Sequence, residues 1–356
     1  MQQKIYIRSS ENISPQKTFG VESLPSEVVE YVGDRLKCIE PDYNKLIDPK
    51  LIRRMSRIIK MGVAAATVCL QKAGIDTPGA IITGTAYGCL EDTEVFLKKM
   101  IENREEMLTP TAFIQSTHNT VGAQIALMLK CHQYNNTFVH KGFSFESALL
   151  DAILLLEENK MTNVLAGGVD EITDTSHAIL TRLGLYKQER ISNRHLLSSG
   201  SKGTTAGEGA IFFTLTNQVS ENNEAQLNSI QTFYKPGNVS EIEKQIQSFL
   251  KENAVDMSRI DLIITGMNGD IKGDEIYNQL NNSLLKNKSQ IQYKHLCGEY
   301  PTAAAFALWL AGRIIKHQTI PEWFEKNNAH QQPINRVLIY NHYKGTHHSL
   351  FLLSAC

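Results

Sequence analysis

Residues 135–156 read NNTFVHKGFSFESALLDAILLL. A β-branched run at 137–139 gives way to a turn at Gly142, and the turn opens a helical stretch, 147–156, that is apolar nearly all round instead of along one stripe. Such a helix is expected to be buried on every side. The pattern recurs in the other half of the chain, where TAAAFALWLAGRII (302–315) follows a turn at Gly298. Strand-like runs at 80–83, 137–139, 163–166, 211–216, 261–265 and 337–340 alternate with helical patterns, which means an α/β protein. NVLAGG and DLIITG are continuous apolar runs, as a sheet covered on both faces requires. In an α/β protein a helix buried all round lies between two sheets. Two such helices, one per half, point to a duplicated unit with halves at 1–217 and 218–356. The polar stretch 218–231 (QVSENNEAQLNSIQ) reads as their junction, 51–73 as an outer or half-exposed helix, and HSLFLLSAC (348–356) as a final strand.

Composition removes several function classes. The chain has 356 residues, 42% of them hydrophobic and 21% charged, and 36 Lys plus Arg against 37 Asp plus Glu leave a net charge of −1. A chain of this length buries roughly three quarters of its unfolded surface. Binding to nucleic acid is not expected, because phosphate affinity needs clustered Lys and Arg and no long basic run occurs. Apolar stretches such as 303–311 reach about half of the roughly 20 residues needed to span a bilayer. MQQKIYIRSS holds no apolar signal core, so a cytoplasmic location is expected. Six scattered cysteines without a CxxC pair suggest neither a disulfide framework nor a zinc site. His342, His347 and His348 have no Cys or carboxylate at ligand spacing, and neighbours in a strand point to opposite faces; no metal or other cofactor is expected.

A strand, sharp turn and helix is where an α/β protein presents a nucleophile, with the helix N-terminus stabilising an anion. Gly142-Phe143-Ser144-Phe145-Glu146 approaches the G-x-S-x-G elbow of hydrolases but puts Glu146 where the second glycine belongs, next to a developing oxyanion. The plainer reading has Ser144 or Ser147 capping the helix. Glycines at Gly84, Gly88, Gly167 and Gly168 do not make a dinucleotide fingerprint.

Taken in order, further segments form a recognisable set. They are Gly84 to Gly88 (G-x-x-x-G), Gln115-Ser116-Thr117, the strand and elbow at 137–142, Ala166-Gly167-Gly168, AGEGA at 206–210, Lys294 to Gly298 (K-x-x-x-G) before an Ala-rich helix, and Gly345-Thr346. In this order and spacing the chain resembles the β-ketoacyl synthases of the thiolase superfamily, over about 79–353. The resemblance implies a thiolase-like five-layer α-β-α-β-α sandwich with duplicated halves. It also implies an elbow Cys and two His that stabilise a thioester enolate. Counted back without gaps from Ala166-Gly167-Gly168, the Cys position falls on Gly142, with Phe143 and Ser144 beside it. The first His position falls on Asn268 and the second on Glu299. Glycine cannot attack a thioester, an amide transfers no proton near neutral pH, and an ionised Glu is an acceptor only.

A ketosynthase fold lacking all three groups resembles the chain-length factor of type II polyketide synthases. That likeness implies a non-catalytic subunit in a heterodimer with a catalytic ketosynthase, meeting the acyl carrier protein through the complex. FIQSTHNT and KHLCGEYPTAAAFALWLA look like the ketosynthase-like proteins of aryl-polyene and flexirubin clusters. On this reading Phe143, Ser144, Phe145 and His118 are candidates for filling the vacant pocket or lining the acyl tunnel. Asn135, Asn136, Thr137, Phe138 and Val139 form the strand expected to pair across the dimer axis. His295 and Cys297 read as packed loop residues. Two alternatives stay open: an acyltransferase or hydrolase using Ser144 with His118 or His347, and a homodimeric acyl-binding scaffold.

Overall fold

The computed structural model describes residues 3–324 and 333–356. The β-branched and apolar runs form two sets of five strands. The first comprises β1 (Ile5–Ile13), β3 (Ala80–Gly84), β4 (Tyr134–Phe138), β5 (Asn163–Asp170) and β7 (Gly209–Thr216), in the order β4-β3-β5-β7-β1. The second comprises β8 (Ala225–Tyr234), β9 (Leu262–Thr265), β10 (Gln290–Gln292), β11 (Arg336–Tyr343) and β12 (His347–Ser354), in the order β10-β9-β11-β12-β8. In each set three strands run parallel and the last two are antiparallel. The orders are the same, element for element, so the duplication inferred from two apolar helices is present in the topology. The sets join where Ile5, Tyr6 and Ile7 pair with Leu227, Gln226 and Ala225. Two short strands, β2 (Val32–Gly33) and β6 (Ile191–Ser192), pair apart from the rest.

Helices complete five layers. Outside the first sheet α2 (Arg57–Ala73) packs with α5 (Thr120–Leu129), after the short α1 (Pro49–Ile52) and flanked by α3 (Leu90–Glu102) and α4 (Pro110–Gln115). A Cβ at Gly62 of α2 would lie 2.4 Å from Val121 Cγ1 of α5, so a glycine is what lets the two helices pack this closely. Between the sheets lie α6 (Ser144–Glu157) and, beyond α7 (Asp174–Arg182), α11 (Ala304–His317). Outside the second sheet lie α8 (Val239–Glu252) and α9 (Glu275–Asn282), and the one-turn α10 (Lys294–Cys297) precedes α11. In α11 every residue from Ala304 to Ile315 is buried. Burial of Phe306, Leu308, Leu310 and Ile314 contributes roughly 1.5–3 kcal/mol each.

Four expectations need correction. The α6 helix buries Phe145, Ala148, Leu149, Ala152 and Leu156 at helical spacing, but Leu154 is exposed and Leu150 and Ile153 line a surface groove with Ile230. It therefore has one free flank, because only α11 and not α6 is enclosed along its full length. Stretch 51–73 is broken at 53–56, and α2 is more buried than an outer helix with a charged face suggests, since α5 covers it. The polar junction is short: from Ala225 onward its second part is β8, whose polar side chains hide a strand hydrogen-bonded to β1 and β12. Val139 lies just past the end of β4, and IYIRSSENI forms the strand β1, whose polar residues Ser9, Ser10, Glu11 and Asn12 are buried.

Candidate functional site

The elbow is built from the end of β4, a 3-10 turn at Lys141–Phe143 and the start of α6. Ser144 is fully buried and serves the turn instead of a helix cap. Its Oγ accepts the His140 backbone N–H and donates to the Lys141 carbonyl, both at 2.8 Å. That corrects the capping expectation and leaves Ser144 without the free hydroxyl and adjacent base that nucleophilic attack requires. Neither His118 nor His347 meets it: His118 packs beside Gly88, and the His347 ring lies 4.7 Å from that of Phe143. The turn is held tight against β3, since a Cβ on Gly84 would fall 2.4 Å from the Ser144 carbonyl oxygen.

Gly142 faces Tyr343, at the end of β11. A Cβ at Gly142 would sit 2.7 Å from Tyr343 Cβ and 2.8 Å from its Cδ1. The obstruction is the root of the tyrosine side chain, which no rotamer change removes. The Tyr343 hydroxyl reaches toward that of Tyr87 at 3.5 Å.

Asn268 and Glu299, 31 residues apart, meet directly. Asn268 follows β9, and Glu299 follows the Gly298 turn that ends α10. Asn268 Nδ2 donates to Glu299 Oε2 at 2.6 Å, and the buried Lys294 Nζ donates to the same oxygen at 2.6 Å. Lys294 thus supplies the charge that Glu299 would otherwise lack in a buried place. Asn268 is fixed in turn: its N–H donates to Asp274 Oδ1, and its carbonyl accepts from Thr204 Oγ1 at 2.6 Å. One of its two side-chain N–H donors is engaged by Glu299, and the Glu299 carboxylate offers only acceptors.

Asn268 and Glu299 line a cavity of about 280 Å³ whose wall also includes Tyr186, Thr204, Asp270, Lys272, His342, Tyr343 and Lys344. Burial pushes the Tyr186 and Tyr343 phenols up, so both stay neutral. Burial, then Lys294 and His348, lowers His342 to about 3, and its Nε2 sits 3.0 Å from the Gly273 carbonyl. Asp170, at the end of β5, ties the site's framework together. Its carboxylate accepts from Thr85 Oγ1, Ala86 N, Thr302 N and Thr302 Oγ1 at 2.8–3.1 Å. Burial raises it to about 6 against those four donors. The glycine turn at 84–88, the Ala166-Gly167-Gly168 strand and the start of α11 are therefore one polar junction.

A sequence profile described as β-ketoacyl synthase, N-terminal domain, matches residues 38–247, more than half of the chain. The chain belongs to the β-ketoacyl synthase family. No curated protein sequence matches it. Among solved structures, the ishigamide ketosynthase/chain length factor superposes with a TM-score of 0.81 at 16% identity, covering 100% of both chains. A β-ketoacyl synthase from Burkholderia phymatum STM815 gives 0.81 at 14% identity, over 99% of this chain and 100% of that one. The ketosynthase ApeO in complex with its chain length factor ApeC, from Xenorhabdus doucetiae, gives 0.76 at 14%, over 99% and 98%. At these identities the likeness is one of fold, and the fold is the thiolase-like α-β-α-β-α sandwich of β-ketoacyl synthases.

In this ketosynthase-fold chain Gly142 abuts Tyr343, which lines the cavity together with Asn268 and Glu299, whereas Phe145 sits in the core between Phe213 and Phe351. His118 is exposed and off the cavity. Phe143 packs on His140, Tyr234 and His347. Cys297 is fully buried, and burial lowers His295 to about 4, as for packed residues. Sequence reasoning missed Tyr343 and the role of Lys294. Tyr343 carries no local signal, since it reaches Gly142 from the far end of the chain. Lys294 does carry one: a Lys placed five residues before a Glu, across a glycine turn. Among the described residues no group of three His, Cys, Asp or Glu is placed to hold a metal, and no helix is long and apolar enough to cross a membrane.

Proposed function

We propose that this chain is a non-catalytic, chain-length-factor-like partner of a β-ketoacyl-ACP synthase, acting in type II polyketide elongation of the aryl-polyene or flexirubin kind or in fatty-acid-like chain elongation, in the cytoplasm. The observation that carries the reading is at the elbow. The volume a nucleophilic side chain on Gly142 would need is occupied by Tyr343. Decarboxylative condensation also needs two donors for an enolate, and at those positions Asn268 directs one of its two side-chain N–H groups at Glu299, while Glu299, paired with Lys294, has only acceptors to offer. Solved structures of the same fold include pairs described as a ketosynthase with its chain length factor, and an acyl-carrier protein in complex with its ketosynthase.

The same reading makes β4 the pairing strand. It is the terminal strand of the first sheet, and a bare edge is a liability unless another chain covers it. Asn135 to Phe138 would lie across the dimer axis, with Val139 beside it. Of the four candidate pocket residues Phe143, next to Gly142, remains the proposed one, since Ser144 serves the turn, Phe145 the core and His118 the surface, and 217/218 is the proposed boundary between halves, between β7 and β8. The test is co-purification with a catalytic ketosynthase of the same host, followed by mass measurement and a malonyl decarboxylation assay of each subunit. A one-to-one complex and an inert lone chain are expected. Decarboxylation or condensation by the lone chain, or a stable homodimer that refuses the ketosynthase, overturns the proposal.

A further inference from the structure

Two buried carboxyls, Glu146 and Glu299, share the neighbourhood of one buried ammonium, Lys294. They are served very unequally. Glu299 accepts from Lys294 Nζ and Asn268 Nδ2, both at 2.6 Å. Glu146, in the first turn of α6, is fully buried, and neither of its oxygens has a hydrogen-bond partner. The Ser349 hydroxyl of β12 is buried and unpartnered as well. Burial raises Glu146 to about 7, opposed by its own backbone, then by Ser349 and Lys294, which stand near enough to act on it without bonding to it. Of the two carboxyls, the one with two donors keeps the charge and the one with none keeps a proton.

Lys294 has a donor to spare. Two of its three N–H groups are used, on Glu299 Oε2 at 2.6 Å and on the His342 carbonyl at 3.2 Å. The other charged or titratable groups close by are committed elsewhere. Asp274 accepts from the Asn268 and Gly269 backbone N–H groups. His342 is neutral, with Nε2 on the Gly273 carbonyl and Nδ1 accepting from the Gly345 N–H. Two elements packed on α6 each bring one charged group: β5 brings Asp170, which has four donors, and α11 brings Arg313, held by Glu22, Ser10 and Glu224. Lys294 is therefore the cation that can answer a charge on Glu146, and Ser349 the hydroxyl.

We propose that the proton on Glu146 is a switch for the cavity wall: its loss to solvent draws the Lys294 ammonium from Glu299 toward Glu146 and lets Glu299 and Asn268 part. With the proton in place, Lys294 and Asn268 both hold Glu299, and the wall is fixed. Without it, two buried carboxylates compete for one ammonium, and the Asn268 amide is released toward the cavity that Asn268 and Glu299 line. The switch lies within this chain and does not depend on its pairing with a ketosynthase.

The test uses the purified full chain, isotope-labelled at asparagine nitrogen, with the Asn268 side-chain amide followed by nuclear magnetic resonance from about pH 5.5 to 8.5. Its signal is assigned by its loss in Asn268→Ser. A single titration with a midpoint of about 7 is expected in wild type, and none in Glu146→Gln, which keeps the shape of the neutral carboxyl. In Ser349→Ala the midpoint is expected to rise by about half a unit or more, because a group that favours the charged form is gone. Should Glu146→Gln fail to fold, the direction of the Ser349→Ala shift decides. An Asn268 amide that stays flat in wild type, that titrates alike in Glu146→Gln, or whose midpoint stays or falls in Ser349→Ala overturns the proposal.

Discussion

Tyr343 and a Gly142 side chain would compete for one volume, and this makes the closure of the elbow testable at single residues. Gly142→Cys places a Cβ within 2.7 Å of Tyr343 Cβ. Overpacking of this sort typically costs about 1–3 kcal/mol. Denaturant unfolding is expected to show that loss, and the double variant Gly142→Cys/Tyr343→Gly, which removes the Tyr343 Cβ as well as its ring, to be less destabilised than the sum of the two single changes, because the pair shares the clash. Additive losses would mean the tyrosine is not the obstruction. Glu146, four residues on, gives a pH-dependent prediction. It is fully buried near Ser349 and Lys294, and burial raises it from 4.5 to about 7. A carboxyl whose folded pKa is raised contributes its full stability below the unfolded value and loses it as pH rises through the folded one. Relative to wild type, Glu146→Gln should therefore gain stability progressively between pH 4.5 and 7, by on the order of 3 kcal/mol at the plateau. A difference that stays flat with pH would contradict the buried-carboxyl account.

At the scale of elements, α3 and α4 expose what a covered surface would hide. Ile101 is 77% exposed, Phe113 58% and Ile114 61%. Apolar side chains clustered this way mark an interaction surface more often than they serve folding. Phe113→Glu/Ile114→Glu is expected to abolish association with the ketosynthase, read by light scattering, while shifting unfolding free energy by no more than about 0.5 kcal/mol. Loss of folding instead would place these residues in the chain's own core. The β4 strand shows how an element's function can rest on its neighbours. Its residues Tyr134 to Phe138 are partly exposed because nothing described lies beyond them, and their sequence alone does not say that the sheet ends there.

For the whole molecule, the two halves repeat in topology but not in independence. One apolar core between the sheets draws on α6 from the first half and α11 from the second. The corner where β1 meets β8 is fixed by Arg313 of α11. Its Nη2 lies 3.0 Å from the Ser10 carbonyl and 3.5 Å from Glu224, and both Arg313 and Glu224 are buried. Residues 1–217 expressed alone should therefore lack fixed tertiary packing, seen as lost near-ultraviolet circular dichroism, and the full chain should unfold in one transition. A cooperatively folded 1–217 fragment would show that each half holds a core of its own.

What could be read from the residues rests on periodicity and local chemistry. Apolar runs and glycine turns are written in consecutive positions, so the α/β class, the enclosed helix at 302–315, the elbow at Gly142 and the repeated halves were legible. The Glu at 299 and the Gly at 142 were visible as substitutions within a familiar order of motifs. The rest depended on contacts between distant parts of the chain. The polar β1 and β8 read poorly as strands because hydrogen bonding to neighbours, not apolar character, stabilises them. Ser144 looked like a helix cap until the turn before it claimed both of its hydrogen bonds. Lys294 neutralises Glu299 only because the Gly298 turn folds one back on the other. Tyr343 closes the elbow only because β11 ends beside β4's turn. Sequence alone determined which residue types stand at the elbow and at 268 and 299; tertiary structure decided what they touch, because a close contact between residues 142 and 343 exists only in the folded chain.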